Sequence, residues 1–234
     1  MENLLFYLIV FLTNIIQTIS GFAGTMLAMP LSISLIGMDQ ARFILNLMGL
    51  LVSVIVLFQE KDNVEVRSII GIIVFMTVGI GISKLLSAWV SQDVLLTVYG
   101  VVIILFAIYQ LAGREIPLNK WTSVILLLAA GIIHGLFVSG GALLVVYAMN
   151  RFKEKDQFRA NLSLVWVILN SILLLSFIFE GTANVSLELL SIPTIATLLG
   201  VLLGSRLASK INQKKFSFFT KCLLLIMGLI IIFN

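Results

Sequence analysis

Two stretches, IIQTISGFAGTML (residues 15–27) and IIHGLFVSGGAL (132–143), put hydrogen-bonding side chains and glycines in the middle of apolar runs. The first holds Gln17, Gly24 and Thr25. The second holds His134, the only histidine, with Ser139, Gly140 and Gly141. Glycine lets a backbone unwind and turn. A helix that restarts after such a break, over about 25–36 or 142–149, presents free N–H groups and the positive end of its dipole. Two such ends facing one cavity would hold an anion without a buried lysine. Glycine-mediated packing of unbroken helices is the other reading. His134 fits three roles: a hydrogen-bonded interior residue, an anion or proton ligand on a translocation path, or a catalytic base.

Two further sets have helical spacing. Arg42, Asn46, Gly49 and Ser53 stand at i, i+4, i+7 and i+11, and so do Arg159, Ser163, Trp166 and Asn170. Each set lies on one helix face. In lipid such a polar stripe turns inward, toward a site or a helix–helix seam. Asp39 and Asp156 fit as N-caps, which puts Arg42 and Arg159 in a first turn, where the dipole disfavours a cation. A bound anion or a nearby carboxylate would compensate; snorkelling to headgroups is the alternative.

The elements that must carry these residues are set by composition. Of 234 residues, 60% are hydrophobic and 11% charged, and the mean hydropathy is +1.16. A soluble domain carries about 25% charged residues. The pattern is that of a polytopic helical membrane protein. The start, MENLLFYLIV, has no basic n-region and reads as a retained first span. The single cysteine, Cys222, allows no internal disulfide, and no metal or cofactor pattern occurs. The basic pI of about 9.3 reads as topology-setting charge and not as nucleic-acid binding. All 11 acidic residues fall in loops or at segment ends, so a pump relaying protons through a mid-membrane carboxylate is disfavoured.

Eight apolar segments can be drawn, at 4–36, 41–58, 66–89, 94–112, 121–149, 158–179, 188–208 and 217–233. The first and fifth exceed one plain span of about 20 residues and read as broken or re-entrant. If each segment crosses once, Arg42, Lys84, Arg151, Lys153, Lys155, Arg159, Arg206, Lys210, Lys214, Lys215 and Lys221 share one side. Lys61, Arg67, Arg114 and Lys120 take the other. The richer side is cytoplasmic by the positive-inside rule, which leaves both termini outside.

The chain also repeats. A shift of 117 residues lays DQAR (39–42) on DQFR (156–159), Gly24 on Gly141 and Gln17 on His134. A shift of 121 lays NV (63–64) on NV (184–185) and Gly79 on Gly200. The expected fold is therefore all-α, with two four-segment repeats at 1–112 and 121–234 joined by a linker at 113–120. An even number of spans makes the repeats parallel, with a substrate site between them.

These residues together resemble the TauE/SafE family of sulfite and organosulfur-anion exporters. The resemblance covers nearly the whole chain. It rests on GFAGTMLAMPL (21–31), VSGGALLVV (138–146), FRANLSLVWVILN (158–170) and GVLLGSRLASKI (200–211). The run GFAGT is poorer in glycine than the family pattern. The resemblance implies export of a small sulfur-containing anion by a monomer or homodimer in the bilayer. The expected site takes amides near Gly24, Thr25, Gly140 and Gly141 with Ser139. Gln17, Asn46, His134 and Asn170 would add hydrogen bonds, and Arg42 and Arg159 would attract the anion. An anion channel and an intramembrane serine enzyme using Ser139 are the competing classes.

Overall fold

The computed structural model describes residues 2–86, 118–182 and 185–233, with isolated positions between 97 and 112. The predicted fourth segment (94–112) and the linker (113–120) lie largely outside the described residues. The described chain is helical throughout. It runs through α1 (Glu2–Ser20), α2 (Ala23–Ile36), α3 (Met38–Gln59), α4 (Val66–Leu86), α5 (Lys120–Phe137), α6 (Gly141–Arg151), α7 (Lys155–Phe179), α8 (Leu187–Ala208) and α9 (Gln213–Phe233). A 3-10 turn, Lys61–Asn63, joins α3 to α4. Six of these helices, α1, α3, α4, α5, α7 and α8, are long and apolar enough to cross a membrane.

Their apolar residues point two ways. On α1, Phe6 and Val10 are buried while Leu4, Leu8 and Leu12 are exposed. On α4, Ile69, Ile72 and Met76 are buried while Ile70, Val74 and Val78 are exposed. The exposed rows are the faces that lipid covers. The inward faces are joined by small residues, since van der Waals packing holds helices together in lipid. Gly131 on α5 lies against the backbone of Met76 on α4, and Gly79 lies against Leu128 and Gly131 in return. Gly200 and Gly204 on α8 face the backbone of α1 at Phe11 and Ile15, where an added Cβ would come within 2.9 and 3.0 Å of the carbonyls.

These contacts fix direction. Residues rise together along α1 and α8, from Asn14 with Thr197 to Thr18 with Gly204, so the two run parallel. So do α4 and α5, from Met76 with Gly131 to Ser83 with Gly135. In contrast, α3 and α7 are antiparallel: Arg159 near the start of α7 pairs with Glu60 at the end of α3, and Arg42 lies over Phe177 near the end of α7. Helices α1, α3 and α8 therefore point one way, and α4, α5 and α7 the other.

That corrects the expected arrangement. The long first and fifth segments are broken, as their glycines require, and of the two expected senses each takes the re-entrant one, a reversal, which the single-crossing count did not allow for. Gly24 sits beside Thr13 and Gln17, so α2 folds back along α1. Gly140 sits beside Ala130 and His134, so α6 folds back along α5. Each long segment is two passes of a hairpin, and the first half (α1, α3, α4) is inverted relative to the second (α5, α7, α8). The halves are also interleaved, α1 packing on α8 and α4 on α5.

The charge map moves with the topology. Lys61, Arg67, Lys120, Arg151, Lys153, Lys155, Arg159, Arg206, Lys210, Lys214 and Lys215 come to one face, as the Arg151–Ser68 and Lys155–Ala208 hydrogen bonds show. Arg42 and Lys84 lie at the opposite face, contrary to the single-crossing count. Asp39 and Asp156 are not N-caps: those positions are Gly37 and Glu154.

In a Cys222→Ser background, cysteines at Asp62 and Lys153 are expected to react with an impermeant thiol reagent from one side of the membrane, and a cysteine at Asp39 from the other. Labelling of Asp39→Cys and Lys153→Cys from the same side would restore the parallel eight-span arrangement.

Candidate functional site

The two hairpins enter from opposite faces and their tips pass each other inside the protein. Gly21 at the first tip has φ +84°, a left-handed value that glycine adopts without strain. Its counterpart 117 residues on, Val138, has φ 52° and is the single non-glycine residue with positive φ among the described residues. A β-branched side chain there is strained, and such strain gathers at functional sites.

Between the tips lies a chamber lined by Gln17, Phe22, Thr25, His134, Val138, Gly141, Trp166 and Asn170. Its volume is about 10 Å³, room for roughly one water. The two ends of the sequence motif thus meet in space. His134 Nε2 is 3.1 Å from Asn170 Oδ1, and its ring lies 5.1 Å from that of Trp166. With Asn170 Oδ1 as acceptor, Nε2 carries the proton and Nδ1 a lone pair; Nδ1 is buried without a partner. Asn46 donates to the Asn170 backbone carbonyl at 2.9 Å, and its own Oδ1 is unpartnered.

Other predicted residues have local duties. Gln17 Oε1 accepts the Gly24 N–H at 2.6 Å, so that amide is not offered to a ligand. The Ser20 hydroxyl accepts from Phe22 and Ala23 N–H. Ser139 Oγ donates to the Phe137 carbonyl at 2.8 Å. Gly140 fills the hairpin seam, and Gly141 faces Phe22 across the chamber. Gly140, not Gly141, therefore packs as Gly24 does. Thr25 lines the chamber and abuts Gly49.

The arginines sit above and below the chamber. Arg42 Nη2 donates to the Gly135 carbonyl at 2.8 Å, with the guanidinium 5.1 Å from the Phe177 ring centre. Arg159 Nε donates to the Thr18 carbonyl at 3.2 Å, and Nη1 pairs with Glu60 at 2.7 Å. Thr18 and Gly135 are 117 residues apart, so each arginine caps the same turn of the opposite half. The cation unfavourable at its own helix start is favourable at the neighbouring helix end.

Beside Arg42 a second cavity of about 310 Å³ opens, lined also by Ser83, Lys84, Ser176, Phe177 and Glu180. Lys84 donates to Glu180 and Ser176, each at 2.6 Å. That hydrogen bond from the ammonium holds the Glu180 carboxyl below its usual range, against a smaller opposing effect of burial. Trp166, Phe22, Val138, Glu60 and Glu180 were not singled out as site residues from sequence. Trp166 was legible as a member of the inward stripe on α7, and the 117-residue shift aligns it with Gly49 and Val138 with Gly21.

Oppositely oriented hairpins around a small polar chamber, within six potential spans, define a multi-pass membrane protein of transporter type. A family model described as "Sulfite exporter TauE/SafE" matches residues 6–231. The chain belongs to that family. Comparisons with curated proteins and with solved structures returned no match.

The Arg159–Glu60 pair is nearly buried, with side chains 5% and 18% exposed. Removing one partner of such a pair costs about 3 kcal/mol. Glu60→Gln is therefore expected to lower thermal stability by that order, and Glu60→Gln/Arg159→Gln to lose no more than Arg159→Gln alone. Intrinsic-fluorescence melting in detergent measures both; additive losses would contradict the pairing.

Proposed function

We propose that the protein exports a small sulfur-containing anion, sulfite or an organosulfonate, by alternating access around the chamber between the hairpin tips. The observation that carries this reading is the asymmetry of the two arginine ends. At one face Arg159 is closed onto Glu60; at the other Arg42 borders a cavity of about 310 Å³. The chamber between them is too small for an oxyanion as it stands, which fits a carrier resting with its central site shut better than an open channel.

The face rich in Lys and Arg is taken as cytoplasmic, which puts both termini outside. Arg42 then borders the outward vestibule, not the cytoplasmic mouth. A negative interior drives an anion outward by about 2.3 kcal/mol per charge per 100 mV, so export needs no coupling carboxylate. The side-chain N–H groups of Asn46 and Asn170 supply hydrogen bonds to the passing anion, and His134 joins them when Nδ1 is protonated. A proton on His134 Nδ1 turns its lone pair into a donor toward the chamber, the one place where proton linkage enters. Membership of a transporter family favours this over an intramembrane serine enzyme.

Proteoliposomes are expected to accumulate or release radiolabelled sulfite or a small sulfonate and to ignore a cation control. Cation flux without anion flux would overturn the reading. His134→Gln, which copies Gln17, is expected to cut anion flux about ten-fold or more, on the scale of one hydrogen bond to a charged group, and to flatten its pH dependence. Unchanged flux and pH profile would remove His134 from the path.

A further inference from the structure

The cavity beside Arg42 is larger and more polar than the chamber, and its charges are set differently from those of its counterpart on the other face. Arg159 has a carboxylate in contact, Glu60 at 2.7 Å. The equivalent carboxylate near Arg42, Glu180, is bonded to Lys84 and Ser176 instead. Among the described residues Arg42 makes one hydrogen bond, to the Gly135 carbonyl, and its buried Nε has no partner. A guanidinium N–H buried and unmet is costly. Around it stand the hydroxyl groups of Ser83 and Ser176 and the ammonium of Lys84.

We propose that this vestibule is a second oxyanion site, distinct from the chamber, where Glu180 occupies the Lys84 ammonium until an anion displaces it. The inference rests on the anion-export reading and names the kind of anion. Arg42 and Lys84 stand against Glu180 in the cavity lining and Asp39 one turn before Arg42 on α3, so these four charges balance. A singly charged –SO₃ group, with three acceptor oxygens, can accept from the Arg42 guanidinium, the Lys84 ammonium and a serine hydroxyl together. A dianion meets twice the repulsion from Glu180 and Asp39. The ammonium holds Glu180 ionised, so the carboxylate competes with the ligand over the neutral pH range. An anion leaving the chamber past Arg42 would be held briefly and then released as Glu180 returned to Lys84.

Isothermal titration of methanesulfonate into the detergent-purified full chain tests this, with sulfate as the dianion arm. Methanesulfonate is expected to bind more tightly than sulfate. Arg42→Gln is expected to weaken methanesulfonate about ten-fold or more, as a charge-assisted hydrogen bond is lost. Glu180→Gln is expected to tighten it about two- to five-fold, the range of a half-exposed ion pair. Arg42→Gln also removes the cap on Gly135 and could unfold the hairpin; tightening by Glu180→Gln cannot arise from misfolding. If methanesulfonate binds but Glu180→Gln and Arg42→Gln leave its Kd unchanged, or if sulfate binds more tightly, the vestibule assignment is overturned and the exporter reading stands. If the wild-type chain binds no anion and carries none in proteoliposomes, both fall.

Discussion

A helix that ends inside a membrane leaves carbonyl groups with no water to meet them, and the rest of the structure depends on how that is solved. Here the ends of α1 and α5 are met by side chains from the opposite half. Arg159 reaches the Thr18 carbonyl, and Trp166 Nε1 reaches that of Gly21 at 2.9 Å. Arg42 reaches the Gly135 carbonyl. Each unmet carbonyl in hydrocarbon would cost several kcal/mol. The hairpin ends are therefore capped only when the halves are interleaved, as they are with α1 on α8 and α4 on α5.

The same solution makes the two faces of the protein comparable. Inverted halves place equivalent groups at opposite faces, so the two arginines can be compared directly. Arg159 is paired with its carboxylate and Arg42 is not. On the exporter reading, an exchange of these two conditions between the halves is the conformational change: pairing Arg42 with Glu180 closes one mouth as parting Arg159 from Glu60 opens the other. The seams that such a movement must use are the glycine contacts at Gly79, Gly131, Gly200 and Gly204, where backbones already touch and long side chains do not interlock.

Much of this was legible in the residues. The 117-residue repeat, the breaks at Gly21–Gly24 and Ser139–Gly141, and the inward stripes on α3 and α7 all follow from periodicity and from polar residues where lipid offers no partner. The sense of the breaks stayed open between broken and re-entrant, and what was misread is the number of crossings. Glycine permits a chain to leave a helix but does not say where it goes. Length did say so: residues 4–36 as one helix would reach about 50 Å, against a hydrocarbon core of about 30 Å. That excess fits two passes, and counting it as one turned inverted halves into parallel ones and put Arg42 at the wrong face. The ion pairs of Glu60 and Glu180 were out of reach, because each joins a helix end to a residue 96 or 99 positions away.

The paired positions Gln17 and His134 show how a repeat divides structural from chemical duty. Gln17 closes its own hairpin: its Oε1 takes the Gly24 amide at 2.6 Å, and its donor side is all it could offer a ligand. In the second half the turn is set one residue differently, so that Gly140 fills the seam and no side-chain cap is needed at the start of α6. His134 is thereby relieved of holding the turn. It stands instead between Asn170 and Trp166 with one ring nitrogen unmet, in the chamber where the tips pass. A residue that is 2% exposed and only half satisfied is costly to keep as packing alone. On the exporter reading, the asymmetry assigns ligand contact to the second hairpin and leaves the first as the scaffold that shapes its chamber.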